Sequence, residues 1–269
     1  MIRVSAPASS ANLGPGFDAI GMALDLRLTV TVGGGPAASD GHPAVVAFRR
    51  GGGTGPLAVQ SVIPPGKGLG FSGAARVAGL VAATAQQGGT VEGPAALSAI
   101  LADAAELDGH PDNVAASLHG GVVAVAGGTA VRVPLGVDGV IVVWIPPTDT
   151  STRQSRDRLP AQVPLEDAVF NIGRTALLVA AIAAGDIAAL RTASEDRLHQ
   201  DRRLEEVPES RRALEAALEA GAWAAWLSGS GPSVGAWCPA AGASQVARAL
   251  PGSGLSRLLR LARRGVRIE

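Results

Sequence analysis

The sequence predicts an α+β fold, and three observations carry that prediction. Strand-like and helix-like stretches are mixed along the chain, without the strict alternation of a doubly wound parallel sheet. A glycine-rich loop, Pro64 to Gly73, stands between an extended run, Leu57 to Ile63, and an alanine-rich helical run that reaches about Gln87. Apolar residues make up 47% of the 269 while aromatics are only 3%, so the core has to be assembled from Ala, Val, Leu and Ile.

The elements follow in order. Ile2 to Ala6 and Leu24 to Val32 read as strands, with a Gly/Pro turn region between them. Gly33 to Gly55 is rich in glycine and proline, and only Val45 to Phe48 looks strand-like there. After the glycine loop and its helix, Gly93-Pro94 opens a helix to about Leu107, proline being suited to the first turn. A third helix starts near Pro111 and stops at Gly120-Gly121. Val122 to Ala126 and Ala130 to Val133 fit a hairpin across Gly127-Gly128. A boundary near residue 138 separates two candidate domains, 1–138 and 139–269, with no flexible linker to mark it. The second half begins with the apolar strand Val140 to Ile145. Helical stretches follow at Leu165 to Ala184, Asp186 to Arg197 and Glu209 to Ala220. Ala222 to Leu227 and Ser233 to Trp237 flank the turn Ser228 to Pro232. A helix near Ser244 to Leu250 and a short strand, Val266 to Ile268, close the chain.

A formal net charge of zero argues against nucleic acid or an anionic membrane as the main partner. Cys238 is the single cysteine, which excludes an internal disulfide framework and points to a reducing, cytoplasmic setting. No signal peptide is visible, and no apolar run approaches the ~20 residues of a membrane span.

Candidate chemistry concentrates in four segments. The glycine loop feeds a helix N-terminus, where unpaired backbone N–H groups and the helix dipole together favour an anion, above all phosphate. Lys67 within it is the only lysine of the chain. Gly68-x-Gly70-x-x-Gly73, with Glu92 nineteen residues beyond, also has the spacing of a dinucleotide fingerprint, which by itself is a weak signal. The Walker-type Gly-x-x-x-x-Gly-Lys-[Ser/Thr] element is absent. The other three segments are Pro7 to Asp18, Asp108 to Asn113 and Ser228 to Ser233. Taken singly they read equally well as an Asx-turn, a helix cap and a hairpin turn.

As an ordered set these segments resemble the GHMP kinase superfamily, and within it the homoserine kinases. Pro7-Ala8-Ser9-Ser10-Ala11-Asn12-Leu13-Gly14-Pro15-Gly16-Phe17-Asp18 is similar to that family's first signature nearly residue for residue. Gly66 to Ala75 resembles its phosphate loop, Gly109-His110-Pro111-Asp112-Asn113-Val114-Ala115 its acceptor motif, and Ser228-Gly229-Ser230-Gly231-Pro232-Ser233 its third signature. Ser151-Thr152-x-x-x-Arg156 and His199-Gln200-x-x-Arg203 lie between them at family-like positions.

The resemblance implies a two-domain fold, the N-terminal half like the second domain of ribosomal protein S5 and the C-terminal half ferredoxin-like. It implies transfer of the ATP γ-phosphoryl group to the side-chain hydroxyl of L-homoserine or a close hydroxy amino acid, in threonine synthesis, with a homodimer admitted. Lys67 and the backbone of Gly68, Leu69, Gly70, Phe71, Ser72 and Gly73 would hold the phosphates. Ser72 and Asp108 would hold Mg²⁺. Asn12 and Asp18 would bind the amino acid at its ammonium end, Arg156 and Arg203 at its carboxylate, which a guanidinium fork grips in plane, and Thr152 would also contact the substrate. Asn113 would orient the acceptor hydroxyl.

Three departures from the family pattern stand out. Phe71 replaces a serine beside the phosphates, Asp108 replaces a glutamate, and no adenine-pocket helix with its asparagine is evident in Val45 to Val62. The alternatives are a protein of this fold that has lost ordinary ATP phosphotransfer, and a nucleotide-dependent oxidoreductase using the glycine spacing.

Overall fold

The computed structural model describes the whole chain, Met1–Glu269. It contains two antiparallel sheets with helices packed against them. The first sheet has the order β10-β1-β2-β4-β5, with β3 pairing the outer end of β2. Its strands are β1 (Ile2–Asn12), β2 (Gly16–Val32), β3 (Leu57–Ser61), β4 (Val122–Ala126), β5 (Thr129–Val133) and β10 (Arg267–Ile268). Both β1 and β2 run further than the sequence indicates. They pair along their full length through the Pro7 to Asp18 segment, with register shifts at Pro7/Ala8 and Ala11/Asn12. The bulges let proline and left-handed residues sit inside a ladder that continues beyond them.

The stretch after β2 corrects the sequence reading. Residues 43–50 form helix α1 (Pro43–Arg50), not a strand. Pro43 occupies the first turn, and His42 Nδ1 accepts the Ala44 N–H at 3.1 Å. Ala44, Val45, Ala47 and Phe48 are buried at helical spacing against the next helix. A helix therefore does lie between the early strands and the phosphate loop, although it carries no asparagine.

Helices α2 (Phe71–Gln86), α3 (Pro94–Asp108) and α4 (Pro111–His119) complete the first half, with α2 and α4 packed on β1 and β2. The second sheet has the order β7-β8-β6-β9, all antiparallel, from β6 (Val140–Ile145), β7 (Ala224–Leu227), β8 (Val234–Cys238) and β9 (Leu255–Leu259). Helices α9 (Pro208–Glu219) and α10 (Ala243–Ala249) pack against it, giving the ferredoxin-like strand order. The short helices α5 (Thr152–Asp157), α7 (Ile187–Ala193) and α8 (Gln200–Leu204) frame the space between the two sheets, with the long α6 (Leu165–Ala184) packed on α7 and β5. By length and composition α6 matches a membrane span, which corrects the reading that no apolar run approaches that length. It opens with Glu166 and Asp167 and carries Arg174, paired with Glu195 at 2.8 Å.

One continuous core joins both halves: Val4, Phe48, Val77 and Val114 belong to the same apolar cluster as Ile141, Trp226 and Trp237. The change of sheet falls between β5 and β6, and β10 returns at the chain's end to pair with β1.

Candidate active site

The phosphate loop lies where α2 begins, and its shape depends on two glycines. Gly70 is the N-cap in a left-handed conformation (φ 66°); a Cβ there would lie 1.8 Å from Ser9 Oγ. Gly68 (φ 69°) lies against the third signature, where a Cβ would meet the Ser228 carbonyl oxygen at 2.3 Å. Ser228 Oγ donates to the Gly68 carbonyl at 2.7 Å, and Ser9 N–H to the Leu69 carbonyl at 3.2 Å. The first and third signatures thus clamp the loop from both sides. The first N–H groups of α2, from Phe71 to Gly73, have no partner four residues back and open on the cleft.

The cleft has a volume of about 380 Å³ and is walled by this loop, by Asp108 to Asn113, and by residues of α5, α8 and the Ser228 turn. Every residue that the sequence nominates for the site lines it. Lys67 directs its ammonium across to the second half, with the Pro147 and Thr148 carbonyls and Asp149 Oδ1 each at 2.7 Å. The Phe71 ring turns edge-on to His42, 5.7 Å between centroids, and so leans toward α1.

At the other end of the cleft, opposite charges meet. Arg156 Nη2 donates to Asp18 Oδ1 at 2.6 Å and Oδ2 at 2.8 Å, and this ion pair holds the Arg156 pKa above its ordinary value. Asn12 supports the pair: its Oδ1 accepts the Asp18 N–H at 3.1 Å and its Nδ2 donates to the Gly229 carbonyl at 3.0 Å. Asn12, Leu13 and Asp18 all have positive φ, a conformation Asn and Asp tolerate better than other side chains. The His199-Gln200-x-x-Arg203 motif ties the loop at Gly14 to the end of β7 and the turn that follows it. His199 Nε2 meets the Gly14 carbonyl at 2.8 Å, Gln200 Oε1 accepts the Leu227 N–H at 2.8 Å, and Arg203 Nη1 donates to the Gly229 carbonyl at 3.1 Å. Burial, reinforced by the Arg156 charge, lowers the Arg203 pKa to about 10. Both guanidinium groups lie over the Phe17 ring, at 5.3 and 5.2 Å from its centroid. Thr152 Oγ1 lies 3.2 Å from Ser230 Oγ.

Between the two ends stands the N-terminus of α4. Asn113 Oδ1 accepts from Ser9 Oγ at 2.8 Å, which fixes the amide's orientation. Asp112, read from sequence only as a cap, is 1% exposed, and its carboxylate accepts the Asn113 N–H at 2.8 Å. Burial, with the Asp18 charge added, pushes its pKa up to about 7.

Sequence reasoning missed Arg76. One turn after Ser72 on α2, its Nη1 bonds both Ser72 Oγ and Asp108 Oδ1. The other Asp108 oxygen faces His110 Nδ1 at 3.4 Å, and this pairing raises the His110 pKa against the opposing effect of burial. A hydroxyl and a carboxylate would suit a hard cation by their chemistry. Here a guanidinium already bridges them, so the arrangement does not fit a divalent ion between Ser72 and Asp108. An arginine in an alanine-rich helix gives no sequence signal of this; a solvent-facing charge reads the same.

Comparison with known proteins places this geometry. The GHMP kinases N terminal domain matches residues 42–121 and the GHMP kinases C terminal domain residues 178–254. The homoserine kinase of Thermus thermophilus is 40% identical, over 92% of this chain and 90% of its own. That of Moorella thermoacetica is 41% identical, over 88% of each. The chain belongs to the homoserine kinase family of the GHMP kinases. The crystal structure of homoserine kinase from Cytophaga hutchinsonii superposes with a TM-score of 0.86 at 26% identity, covering 100% of this chain and 97% of that one. A mevalonate kinase at 12% identity and a TM-score of 0.72 shares the GHMP fold alone. The oxidoreductase reading of the glycine spacing is thereby set aside.

Proposed function

We propose that this chain transfers the γ-phosphoryl group of ATP to the side-chain hydroxyl of L-homoserine, supplying threonine synthesis in the cytoplasm. The division into 1–138 and 139–269 belongs to the same reading. The observation that carries it is the charge layout of one cleft. The phosphate loop lies at one end, the Asp18–Arg156 pair with Arg203 at the other, and Asn113 between them.

A zwitterionic amino acid has the charge pattern to enter the Asp18–Arg156 pair, giving its ammonium to Asp18 and its carboxylate to Arg156 and Arg203. Asn12 holds the Asp18 backbone in place, and Thr152 borders the same wall. The side chain then extends toward Asn113, whose amide, fixed by Ser9, orients the hydroxyl. The N–H groups of Phe71, Ser72 and Gly73 hold the phosphates, with Gly68, Leu69 and Gly70 shaping the turn and Lys67 tying it to 147–149. The hydroxyl oxygen forms a bond to the γ-phosphorus as the bond to the β,γ-bridging oxygen breaks. ADP leaves and the hydroxyl proton passes to solvent. Positioning and charge stabilisation supply most of the acceleration in such a transfer. The Mg²⁺ that the resemblance assigns to Ser72 and Asp108 would meet Arg76 there.

A coupled ADP-release assay over a panel of hydroxy amino acids, including homoserine and threonine, tests the proposal. Homoserine-dependent ADP release is expected. Homoserine binding without ADP release would favour the reading in which ATP phosphotransfer has been lost.

A further inference from the structure

The geometry assigns to Arg76 the work of a resident cation in the phosphate site, taking the place a divalent ion would fill between Ser72 and Asp108. This inference rests on the ATP-dependent reading above and concerns how the nucleotide's charge is met.

Arg76 lies four residues after Ser72 on α2, so the two share one helix face, and side chains on a helix lean toward its N-terminus. The guanidinium therefore reaches back to the opening of the phosphate loop. Nη1 bridges Ser72 Oγ and Asp108 Oδ1. Asp108, at the C-terminus of α3, is 4% exposed in its side chain, and its second oxygen is turned to His110. The serine hydroxyl and one carboxylate oxygen are thus committed within the chain, while the other oxygen has only His110 Nδ1 at 3.4 Å, whose nearer partner is the Asp108 carbonyl at 2.9 Å. A metal ion would have to expel a guanidinium from a nearly buried carboxylate, and breaking such a pair is costly.

The other cations of the cleft are engaged elsewhere. Lys67 is bound to residues 147–149, Arg156 to Asp18, and Arg203 to Gly229. Arg153 is almost fully exposed beside Asp157. Arg76 is the cation bound to Ser72, where the phosphate loop passes into α2. Its hydrogen bonds all leave from Nη1, so its Nη2 edge is available on the cleft wall that Arg76 lines. A guanidinium held in this way presents fixed N–H donors and a permanent charge to phosphate oxygens. Its placement requires no third component to assemble.

The test is calorimetric binding of ATP with EDTA and of ATP with excess Mg²⁺, on the full-length wild type and on Arg76→Met and Arg76→Lys. The wild type is expected to bind both forms with affinities within about threefold of each other. Arg76→Met is expected to lose at least about tenfold in metal-free affinity and to become Mg²⁺-dependent, with Arg76→Lys between them. If Arg76→Met fails to fold because Asp108 is left unpaired, the double variant Arg76→Met/Asp108→Asn removes both charges and is measured in its place. A wild type that binds ATP only with Mg²⁺, and an Arg76→Met variant with the same Mg²⁺ dependence, would overturn the role of Arg76 while leaving the kinase reading intact. Failure of the wild type to bind ATP in either form would remove both.

Discussion

Asp18 receives both of its short hydrogen bonds from a single nitrogen of Arg156, at 2.6 and 2.8 Å, across 138 residues of chain. The two side chains neutralise each other while remaining 31% and 40% exposed. Such a pair is worth little to stability. Under the proposed function its value is that a zwitterion can replace each partner's contact with one of the same sign. Arg156→Ala and Arg203→Ala should each weaken homoserine binding by about 1.5–3 kcal/mol, the range for hydrogen bonds to charged groups. Asp18→Asn combined with Arg156→Ala should cost less than the sum of the two single changes, because the sites are coupled. Calorimetry with homoserine measures both; unchanged affinity in the two arginine variants would rule out the carboxylate clamp.

Asp112 gives stability a pH dependence. Its pKa of about 7 in the fold stands above the ordinary 3.8. Between those values the folded protein keeps a proton that the unfolded chain has released. Stability therefore falls as pH rises from about 4 to about 7 and stays at the lower level above that. Asp18 and Asp108 add to the elevation, while the Asn113 N–H and His110 oppose it. Asp112→Asn removes this slope. The variant should be more stable than the wild type at pH 8, by on the order of 1–4 kcal/mol, and equal to it near pH 4. Denaturant titrations at the two pH values check this.

Gly70 should tolerate no side chain. Gly70→Ala imposes a left-handed conformation on alanine and drives Cβ into Ser9 Oγ. A loss of about 1–3 kcal/mol is expected from the backbone alone. Because Ser9 also orients Asn113, turnover should fall along with stability. Adding Ser9→Gly relieves the clash but not the strained φ, so it should restore stability only in part. Thermal unfolding of the wild type and the two variants separates the two contributions.

Lys67→Met should act on the loop's mobility. The ammonium makes three contacts to residues 147–149, and losing them frees both segments. Hydrogen exchange should quicken at residues 64–68 and 147–150, and the KM for ATP should rise with kcat little changed. Unaltered exchange in both segments would show that the tether is not what holds the loop.

The site was legible in the sequence to the extent that backbone chemistry dictated it. Gly68 and Gly70 are required by contacts that admit no Cβ, and the first and third signatures are the strands' ends that press on them. Helix α1 was not legible. Four apolar residues at 45–48 fit a strand or a helix, and a histidine is an unusual N-cap. Helices α5 and α8 span six and five residues, too short for periodicity to register. Arg76 and Asp112 were hidden for a different reason. One looks like a surface charge and the other like a cap, and only the approach of α3 and α4 to the start of α2 makes them neighbours of Asp108 and Asp18.

The two sheets share more than a border. Trp226 donates its indole N–H to Ser10 Oγ at 2.8 Å, and Ser10 Oγ lies 2.7 Å from Ser228 Oγ, all buried. The chain passes between the halves before β6 and again after β9, where Leu24 bridges to Leu261 and β10 joins β1. A cleft whose walls share one apolar cluster and are joined twice by the backbone has the construction of a mould more than of a pair of jaws. Ligands enter a shape that already exists, so little of their binding energy is spent on rearranging the protein. Under the proposed function, what adjustment an amino acid requires falls to side chains at the rim, where Arg156 would release Asp18.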